Sequence, residues 1–309
     1  MNNEELKNLI IYTGVFYQDN EIYRTRSQIW FKTFDNARKL GIKVVVRNDG
    51  GLPDEMLNRI KAYENITIVD KKEGGANTLG GGRREALQKA IEIADKEGKK
   101  NPVFLWTEPE KDDLIMEKSL LSIIAEIRAG SNIAVLEREE KAWDQLPPFQ
   151  RWVEKRANKK ANEIIQSTTG SEIKLDWWFA PKAFDKIGAR CFLDYNSNKD
   201  RLDLWDSIMV PILNAIRDGK KVKSVPVDFL YNKKQIDNES DESNKEIKIK
   251  RIEQYAQILK ELGDEKWIEF FEDSKDELDK IKELNKGDSV NKGELLKEAK
   301  KSVVNKFFK

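Results

Sequence analysis

The chain has 309 residues, in which 56 lysines and arginines nearly balance 55 aspartates and glutamates, for a net charge of +1. That length suffices for one large α/β domain or two small ones, and the balanced charge gives no general attraction to nucleic acid or to a membrane. The sequence has no histidine and one cysteine, which excludes Ser-His-Asp and Cys-His catalysis, histidine zinc sites and an intrachain disulfide.

Strands and helices alternate over the first half of the chain. Apolar runs typical of buried strands lie at 9–13, 43–48, 66–69, 103–106 and 132–137. Segments typical of helices lie between them, at 24–40, 53–63, 83–98 and 113–130. This alternation predicts a three-layer α/β/α fold with a mostly parallel sheet covered on both faces.

The alternation loosens after residue 147. The remaining patterns predict a helix over 148–165, a strand over 176–181, a helix over 203–219, a strand over 222–231 and a polar loop over 236–246. We expect one domain over 1–235 and a helical C-terminal extension over 236–309 that packs on it.

The ends of the chain bear on location and partners. The N-terminus lacks the basic start and long apolar core of a secretory signal, and no stretch approaches ~20 consecutive apolar residues, so we expect a cytoplasmic protein. The basic last 25 residues could touch an anionic lipid surface or form a docked or frayed terminal helix. Helices after 245 could pair with a second copy to form a homodimer.

Polar and glycine residues follow the predicted strands. Ligands of open parallel sheets bind at the C-terminal ends of the strands, so we expect residues from several loops to meet around one ligand. The first strand leads into Thr13 and Gly14, and the second into Asp49 within an Asp-Gly pair that is also common in plain turns.

A glycine-rich stretch, GGANTLGGGRR, precedes the fourth predicted helix. Gly80, Gly81 and Gly82 let the backbone approach a ligand closely, the helix N-terminus favours anions and Arg83 adds donors suited to phosphate. The stretch is neither a P-loop nor a dinucleotide fingerprint. A flexible surface loop before a helix is the alternative.

The motif FLWTEPEKDD ends the fourth predicted strand. Because histidine is absent, any metal must be held by oxygen ligands, which suit Mg²⁺ or Mn²⁺. Glu108 and Glu110, one residue apart, could hold such a cation against a diphosphate. The alternative is an acidic helix start capped by Asp112 or Asp113.

Four further residues have two interpretations each. Asp203 and Asp206 could act on a substrate or simply stabilise a helix start. Trp177 and Trp178 would place one ring on each face of the predicted strand, so that one could line a pocket, although core positions for both are the commoner arrangement.

In their order along the chain, these motifs resemble the GT-A fold nucleotide-diphospho-sugar transferases of the glycosyltransferase family 2-like group. The resemblance covers about residues 6–262 and rests on VVVRNDGG, LGGGRREAL, WTEPEKDD, DWWFAPKAF and RLDLWDSIMVP. It implies a glycosyltransferase that binds a nucleoside-diphosphate sugar and an unknown hydroxyl acceptor.

The resemblance also implies roles for particular residues. Asp49 would contact the nucleoside, with Thr13 and Gly14 close by; Arg83 and the three glycines would cradle the diphosphate. Mg²⁺ or Mn²⁺ would bind to Glu108 and Glu110, which here replace the usual Asp-x-Asp; the alternative is that Lys111 supplies the positive charge to the diphosphate. Asp206, or else Asp203, would activate the acceptor, which Trp177 and Trp178 would bind.

Two rival functions stay open. A sugar-phosphate nucleotidyltransferase usually has a glycine-rich loop directly after the first strand, whereas this chain has TGVFYQDNEIYR there. A non-catalytic sugar-nucleotide-binding protein of the same fold would explain why Glu-Pro-Glu replaces the usual metal motif.

Overall fold

The computed structural model describes residues 3–71, 78–196, 203 and 206–239. Nearly all of the predicted C-terminal extension, including its basic tail and the helices that could pair in a dimer, lies outside these described residues. The division into 1–235 and 236–309 therefore stays a prediction.

A seven-stranded sheet forms the centre of the described chain, with the order β3-β2-β1-β4-β6-β5-β7. Neighbouring strands are parallel except that β6 runs antiparallel to both β4 and β5. The mostly parallel sheet predicted from the alternation of apolar runs is thus confirmed. The strands are β1 (Leu9–Val15), β2 (Lys43–Asn48), β3 (Ile66–Asp70), β4 (Val103–Trp106), β5 (Ile133–Arg138), β6 (Lys182–Phe184) and β7 (Val222–Val227).

Helices cover both faces of this sheet. Since successive side chains of a strand point to opposite faces, Ile10 and Tyr12 pack into one core with α4, α7, α8 and α9, whereas Leu9 and Ile11 pack into another with α2 and α5. The predicted three-layer architecture is confirmed. The helices are α1 (Asn3–Lys7), α2 (Glu21–Lys39), α3 (Asp54–Lys61), α4 (Leu79–Lys96), α5 (Glu117–Arg128), α6 (Glu140–Asp144), α7 (Pro148–Thr169), α8 (Lys186–Leu193), α9 (Asp206–Arg217) and α10 (Lys233–Glu239), with a 3₁₀ turn at Asp112–Leu114.

The strand predicted over 176–181 is wrong. These residues form a turn that leads into β6 at Lys182. The peptide N–H groups of Trp178 and Phe179 donate to the side chains of Asn158 and Asp176 instead of to a neighbouring strand. Side-chain acceptors have replaced the backbone ladder that the apolar run suggested.

Several element boundaries also differ from the prediction. Helix α4 begins at Leu79 and not at residue 83, because the Thr78 hydroxyl caps it by accepting from Gly81 N. Helix α9 begins at Asp206, since Asp203 has a φ of +51°, which is incompatible with a right-handed helix. The predicted loop over 236–246 starts as helix α10, and β7 ends at residue 227 rather than 231.

Candidate functional site

Asp49 connects the ends of β1 and β2 to the start of α4. An ideal Cβ on Gly14 would lie 2.8 Å from Asp49 Oδ2, and one on Gly82 would lie 2.8 Å from Asp49 Oδ1. The carboxylate is therefore held between two glycines, and a side chain at either position would displace it. Gly82 is one of the three glycines predicted to let the backbone approach a ligand, and the group that approaches it here is a carboxylate of the chain itself.

The surroundings of Asp49 are only partly polar. Its Oδ1 lies 3.7 Å from Nε of the buried Arg47. Burial raises the pKa of Asp49, while Arg47 and Arg83 act in the opposite direction. Next to it, Thr13 is 1% exposed, and its hydroxyl has no hydrogen-bond partner among the described residues. The Asp49 carboxyl is thus the group that a ligand can reach at this edge, whereas Thr13 lies buried on the face of β1 that it shares with Ile11 and Val15.

The first turn of α4 is hydrogen-bonded within the chain. Gly80 N donates to the Asp203 carbonyl at 2.8 Å, Gly81 N to the Thr78 hydroxyl at 3.0 Å and Gly82 N to the Thr78 carbonyl at 3.0 Å. The diphosphate cradle predicted for these three amides would require ligand oxygens to share or replace those acceptors. It stays a prediction.

The Asp203 side chain is also hydrogen-bonded to residues at the start of α4. Its carboxylate accepts two hydrogen bonds from Arg84, at 2.9 and 2.7 Å, and a third from the Thr78 hydroxyl. Burial alone would raise the pKa of Asp203, but Arg84 and Thr78 lower it overall. An ideal Cβ on Gly80 would lie 2.6 Å from Asp203 Cγ, so glycine at position 80 makes this contact possible.

Arg83 is the residue on which the separate parts of the site converge. Its Nη1 donates to the Ser207 hydroxyl of α9 at 2.9 Å, and its guanidinium lies 5.1 Å from the Trp106 ring of β4. Burial lowers the pKa of Arg83, while the charges of Glu108, Tyr12 and Asp49 support its protonated form. Groups from the ends of β1, β2 and β4 thus surround one cation.

Each glutamate of the Glu-Pro-Glu motif faces a basic side chain. Glu108 Oε2 lies 3.3 Å from Lys111 Nζ, and Glu110 Oε1 lies 3.9 Å from Nε of Arg26 in α2. Burial opposes ionisation of Glu108, but Lys111 lowers its pKa overall, helped by Arg26. Burial and the neighbouring Glu108 raise the pKa of Glu110.

Lys111 lies in a largely desolvated position. The residue is 6% exposed, and its ammonium lies 4.7 Å from the centre of the Tyr231 ring and 5.9 Å from that of Phe229. Rings of this kind stabilise a cation through their negative faces. Sequence reasoning named Lys111 only as an alternative to a metal; the structure places it directly beside Glu108.

The carboxylates at this edge are a poor match for a divalent metal. Within the described part of the chain, no three aspartate, glutamate or cysteine side chains come together as a metal-binding group. Mg²⁺ and Mn²⁺ prefer several oxygen ligands, some of them carboxylates that are free to coordinate. Here Glu108 and Glu110 each face a cation of the chain, and the predicted metal role of this pair stays a prediction.

Asp206 begins α9 on the other side of Arg83. The residue is 1% exposed and accepts a hydrogen bond of 2.7 Å from the Tyr195 hydroxyl. The next residue, Ser207, is the partner of Arg83. The acceptor-side carboxylate and the predicted diphosphate-side arginine are therefore brought together, and the catalytic role of Asp206 stays a prediction.

The two adjacent tryptophans do not lie on opposite faces of a strand, since they belong to a turn. Trp177 is 1% exposed and donates from Nε1 to Asn162 Oδ1 at 2.9 Å. Trp178 is partly buried and packs against the same core. Trp177 is thus a core residue, and the acceptor contact predicted for the pair remains untested, with Trp178 the more accessible ring.

Lys182 is a site neighbour that sequence reasoning missed. It is 0% exposed, and burial lowers its pKa to about 7, against the attraction of Asp176. It pairs with Trp106 across β4 and β6. The available signal was a single lysine inside the apolar run WWFAPKAF, where an uncompensated charge is rare.

A buried ion network lies next to the turn that carries Trp177 and Trp178. Arg138 donates to Asp176 at 2.7 and 2.8 Å, to Glu154 at 2.6 Å and to the Tyr231 hydroxyl at 3.0 Å. Asn158 also donates to Asp176. Burial would raise the pKa of Asp176, but Arg138 lowers it overall. The network ties the turn before β6 to β5, α7 and the ring that contacts Lys111.

Helices of the described chain are not long and apolar enough to cross a membrane.

Comparison with known proteins gives structural matches alone, since neither a family model nor a curated protein matches the chain. A protein of Desulfovibrio desulfuricans G20 described as a nucleotide-diphospho-sugar transferase matches with a TM-score of 0.42 and 10% identity, over 71% of this chain and 80% of that one. The glucosyl-3-phosphoglycerate synthase of Mycobacterium tuberculosis matches with a TM-score of 0.49 and 10% identity, over 85% of each chain.

A solved segment of S. aureus TarS matches with a TM-score of 0.37 and 12% identity, over 82% of this chain and 70% of that one. Nucleotide-diphospho-sugar transferases, the proteins that the sequence motifs resemble, are thus among the structures to which this chain is similar. Likeness at this level carries no argument about function.

Proposed function

We propose that this chain is a glycosyltransferase that takes a sugar from a nucleoside-diphosphate sugar and transfers it to a hydroxyl acceptor. The observation that carries the proposal is the convergence on Arg83. Its guanidinium binds Ser207, stacks near Trp106 and is held among the charges of Glu108 and Asp49. A guanidinium at the C-terminal edge of a parallel sheet is a suitable donor to a diphosphate.

Different residues along the C-terminal edge of the sheet would bind the different parts of the nucleoside-diphosphate sugar. Asp49 would contact the nucleoside, beside Thr13 and Gly14. Arg83 would bind the diphosphate at the start of α4, where Gly80 to Gly82 keep side chains away. Trp178 is the accessible member of the pair that we propose for the acceptor.

Transfer breaks the bond between the sugar carbon and the diphosphate oxygen and forms a bond from that carbon to the acceptor oxygen. Negative charge grows on the departing diphosphate, and a fixed cation such as Arg83 stabilises it. The acceptor hydroxyl must lose its proton, and Asp206 is the carboxylate that we propose to receive it. Asp203 is the less suitable base, because Arg84 and Thr78 already occupy its carboxylate.

A metal-assisted version of this reaction would use Glu108 and Glu110 as ligands for Mg²⁺ or Mn²⁺. When bound, such an ion would supply positive charge to the diphosphate. Glu108 would first have to turn away from Lys111, and Glu110 from Arg26.

The test is release of nucleoside diphosphate from a panel of sugar nucleotides that covers uridine, guanosine, adenosine, cytidine and thymidine donors. We expect the wild type to turn over at least one donor, and Asp206→Asn to lower that rate by about 10²-fold or more. Asp218→Asn, an exposed aspartate at the other end of α9, is the matched control.

Full turnover by Asp206→Asn would remove Asp206 from the mechanism. If nucleotides bind tightly and no donor is turned over with any acceptor, the non-catalytic binding protein becomes the better account. The ion pairs at Glu108 and Glu110 favour that second candidate, because they occupy the carboxylates of the predicted metal motif.

A further inference from the structure

We infer that Lys111, together with Arg83, supplies the positive charge for the diphosphate, and that Glu108 holds Lys111 in place instead of binding a divalent metal. This inference rests on the proposed function. The inference goes beyond the proposed function because it names the cations that contact the diphosphate and states that nucleotide binding does not depend on a metal ion.

The turn of the Glu-Pro-Glu motif is built as an ion-paired unit. The Lys111 N–H donates to the Glu108 carbonyl at 3.1 Å, which closes the turn, and the same two residues pair through their side chains at 3.3 Å. A backbone closure and a side-chain pair between the same residues fix the ammonium beside the carboxylate.

Side chains of helix α2 contact this turn and hold it in place. The Thr33 hydroxyl donates to the Pro109 carbonyl at 2.7 Å, and Asn36 donates to the Asp112 carbonyl at 3.1 Å. Arg26 of the same helix faces Glu110, whose side chain is 13% exposed. The helix thus fixes the backbone of the turn, and turning Glu110 toward a metal ion would cost its contact with Arg26.

The charges present also disfavour a second cation at this position. Lys111 and Arg26 each face one of the two candidate ligands, and the charge of Arg83 also acts on Glu108. A divalent ion placed between these side chains would be repelled by three positive charges at short range. A diphosphate, in contrast, would be attracted by all three.

The position of Lys111 suits a dianionic ligand. Its ammonium rests near the Tyr231 and Phe229 rings and has little contact with water. Charge interactions are stronger where water is excluded. A diphosphate oxygen that approached Lys111 would therefore be bound more firmly than by a surface lysine, and the charge of the departing group would be stabilised without a metal.

The test is calorimetric titration of UDP, GDP, ADP, CDP and TDP, and of the matching monophosphates, first in EDTA and then in Mn²⁺. The proteins are the wild type, Lys111→Gln and the double variant Glu108→Gln/Glu110→Gln. Lys118→Gln is the matched control, because its side chain is 86% exposed and its ion-pair partner is Asp228 outside the site.

We expect the wild type to bind a nucleoside diphosphate with nearly equal affinity in EDTA and in Mn²⁺. Lys111→Gln should weaken diphosphate binding by about tenfold, as expected for a lost charge-assisted contact, and should weaken monophosphate binding much less. A loss specific to the diphosphate distinguishes removal of a ligand contact from general damage to the fold.

Binding that requires Mn²⁺ and disappears in the double variant would overturn the inference and leave the glycosyltransferase proposal standing. Failure of the wild type to bind any nucleotide, with or without Mn²⁺, would overturn both. The comparison of EDTA with Mn²⁺ uses the wild type alone, so the inference can be refuted even if Lys111→Gln does not fold.

Discussion

Glu108 and Lys111 form an ion pair of 3.3 Å across a turn that their own backbone hydrogen bond closes. The pair lies where the sequence suggested a metal site, directly after a buried strand. Glu108 thus already faces a cation of the chain, which is the basis for proposing that Lys111, and not a metal ion, contacts the diphosphate.

Gly80→Ala should destabilise the protein by about 1–3 kcal/mol, as overpacking does in a tightly filled site. The added methyl would lie 2.6 Å from Asp203 Cγ and would force the Asp203–Arg84 pair apart. Urea unfolding measures the change. Leu79→Ala, at the preceding and exposed position, is the control and should stay within about 0.5 kcal/mol of the wild type. An unchanged midpoint for Gly80→Ala would show that the Asp203 contact contributes little.

Asp176→Asn should lower the free energy of unfolding at neutral pH by about 3–5 kcal/mol, because Arg138 would lose the carboxylate that neutralises it in the core. Urea unfolding at pH 7 tests this, and the exposed Asp218→Asn should have almost no effect. A loss below about 1 kcal/mol would mean that Glu154 alone compensates Arg138.

Asp176 also predicts that the stability of the protein depends on pH in the acidic range. Its pKa is lowered in the folded protein, so its contribution is complete above the unfolded pKa of about 3.9 and is lost as the pH falls through the lower folded value. The wild type should therefore lose its advantage over Asp176→Asn below about pH 4. Urea unfolding curves recorded from neutral to acidic pH measure this. A difference in unfolding free energy between the two proteins that stayed constant over the whole range would contradict the prediction.

Lys182 predicts that the free energy of unfolding depends on pH in the basic range. Its folded pKa is about 7, below the unfolded value of about 10.4, so between these values the unfolded state binds more protons and stability rises with pH. The difference in unfolding free energy between wild type and Lys182→Met should shift in favour of the wild type from about pH 7 to about pH 10. Lys159→Met, at an exposed position of α7, should show no such shift. If the unfolding free energies of Lys182→Met and the wild type changed with pH in parallel, the lowered pKa assigned to Lys182 would be refuted.

Much of the sheet was predictable because strands β1 to β5 are short apolar runs with helices between them. The antiparallel β6 was not, since the apolar run before it belongs to a turn held by Asn158 and Asp176, and those side chains lie far away in sequence or at the edge of the run. Helix α4 was placed four residues late because three successive glycines weigh against a helix, whereas the Thr78 cap and the Asp203 contact stabilise it.

The members of the site were partly predictable, but their pairing was not. The strand-end rule correctly indicated that Asp49 and Glu108 would gather near Arg83. The sequence offered no means of foreseeing that Ser207 would bind Arg83, or that Arg26 from α2 would face Glu110. Such pairs depend on how separate helices pack, which composition and spacing do not specify.

The most direct measurement of the central claim is calorimetric binding of nucleoside diphosphates, with all five common bases, to the wild type and to Arg83→Gln. Arg217→Gln, exposed near the end of α9, serves as the control. The account predicts that the wild type binds at least one diphosphate, that Arg83→Gln weakens it by about tenfold or more, and that Arg217→Gln binds like the wild type. Equal binding by Arg83→Gln and the wild type, or no binding of any diphosphate by the wild type, would contradict it.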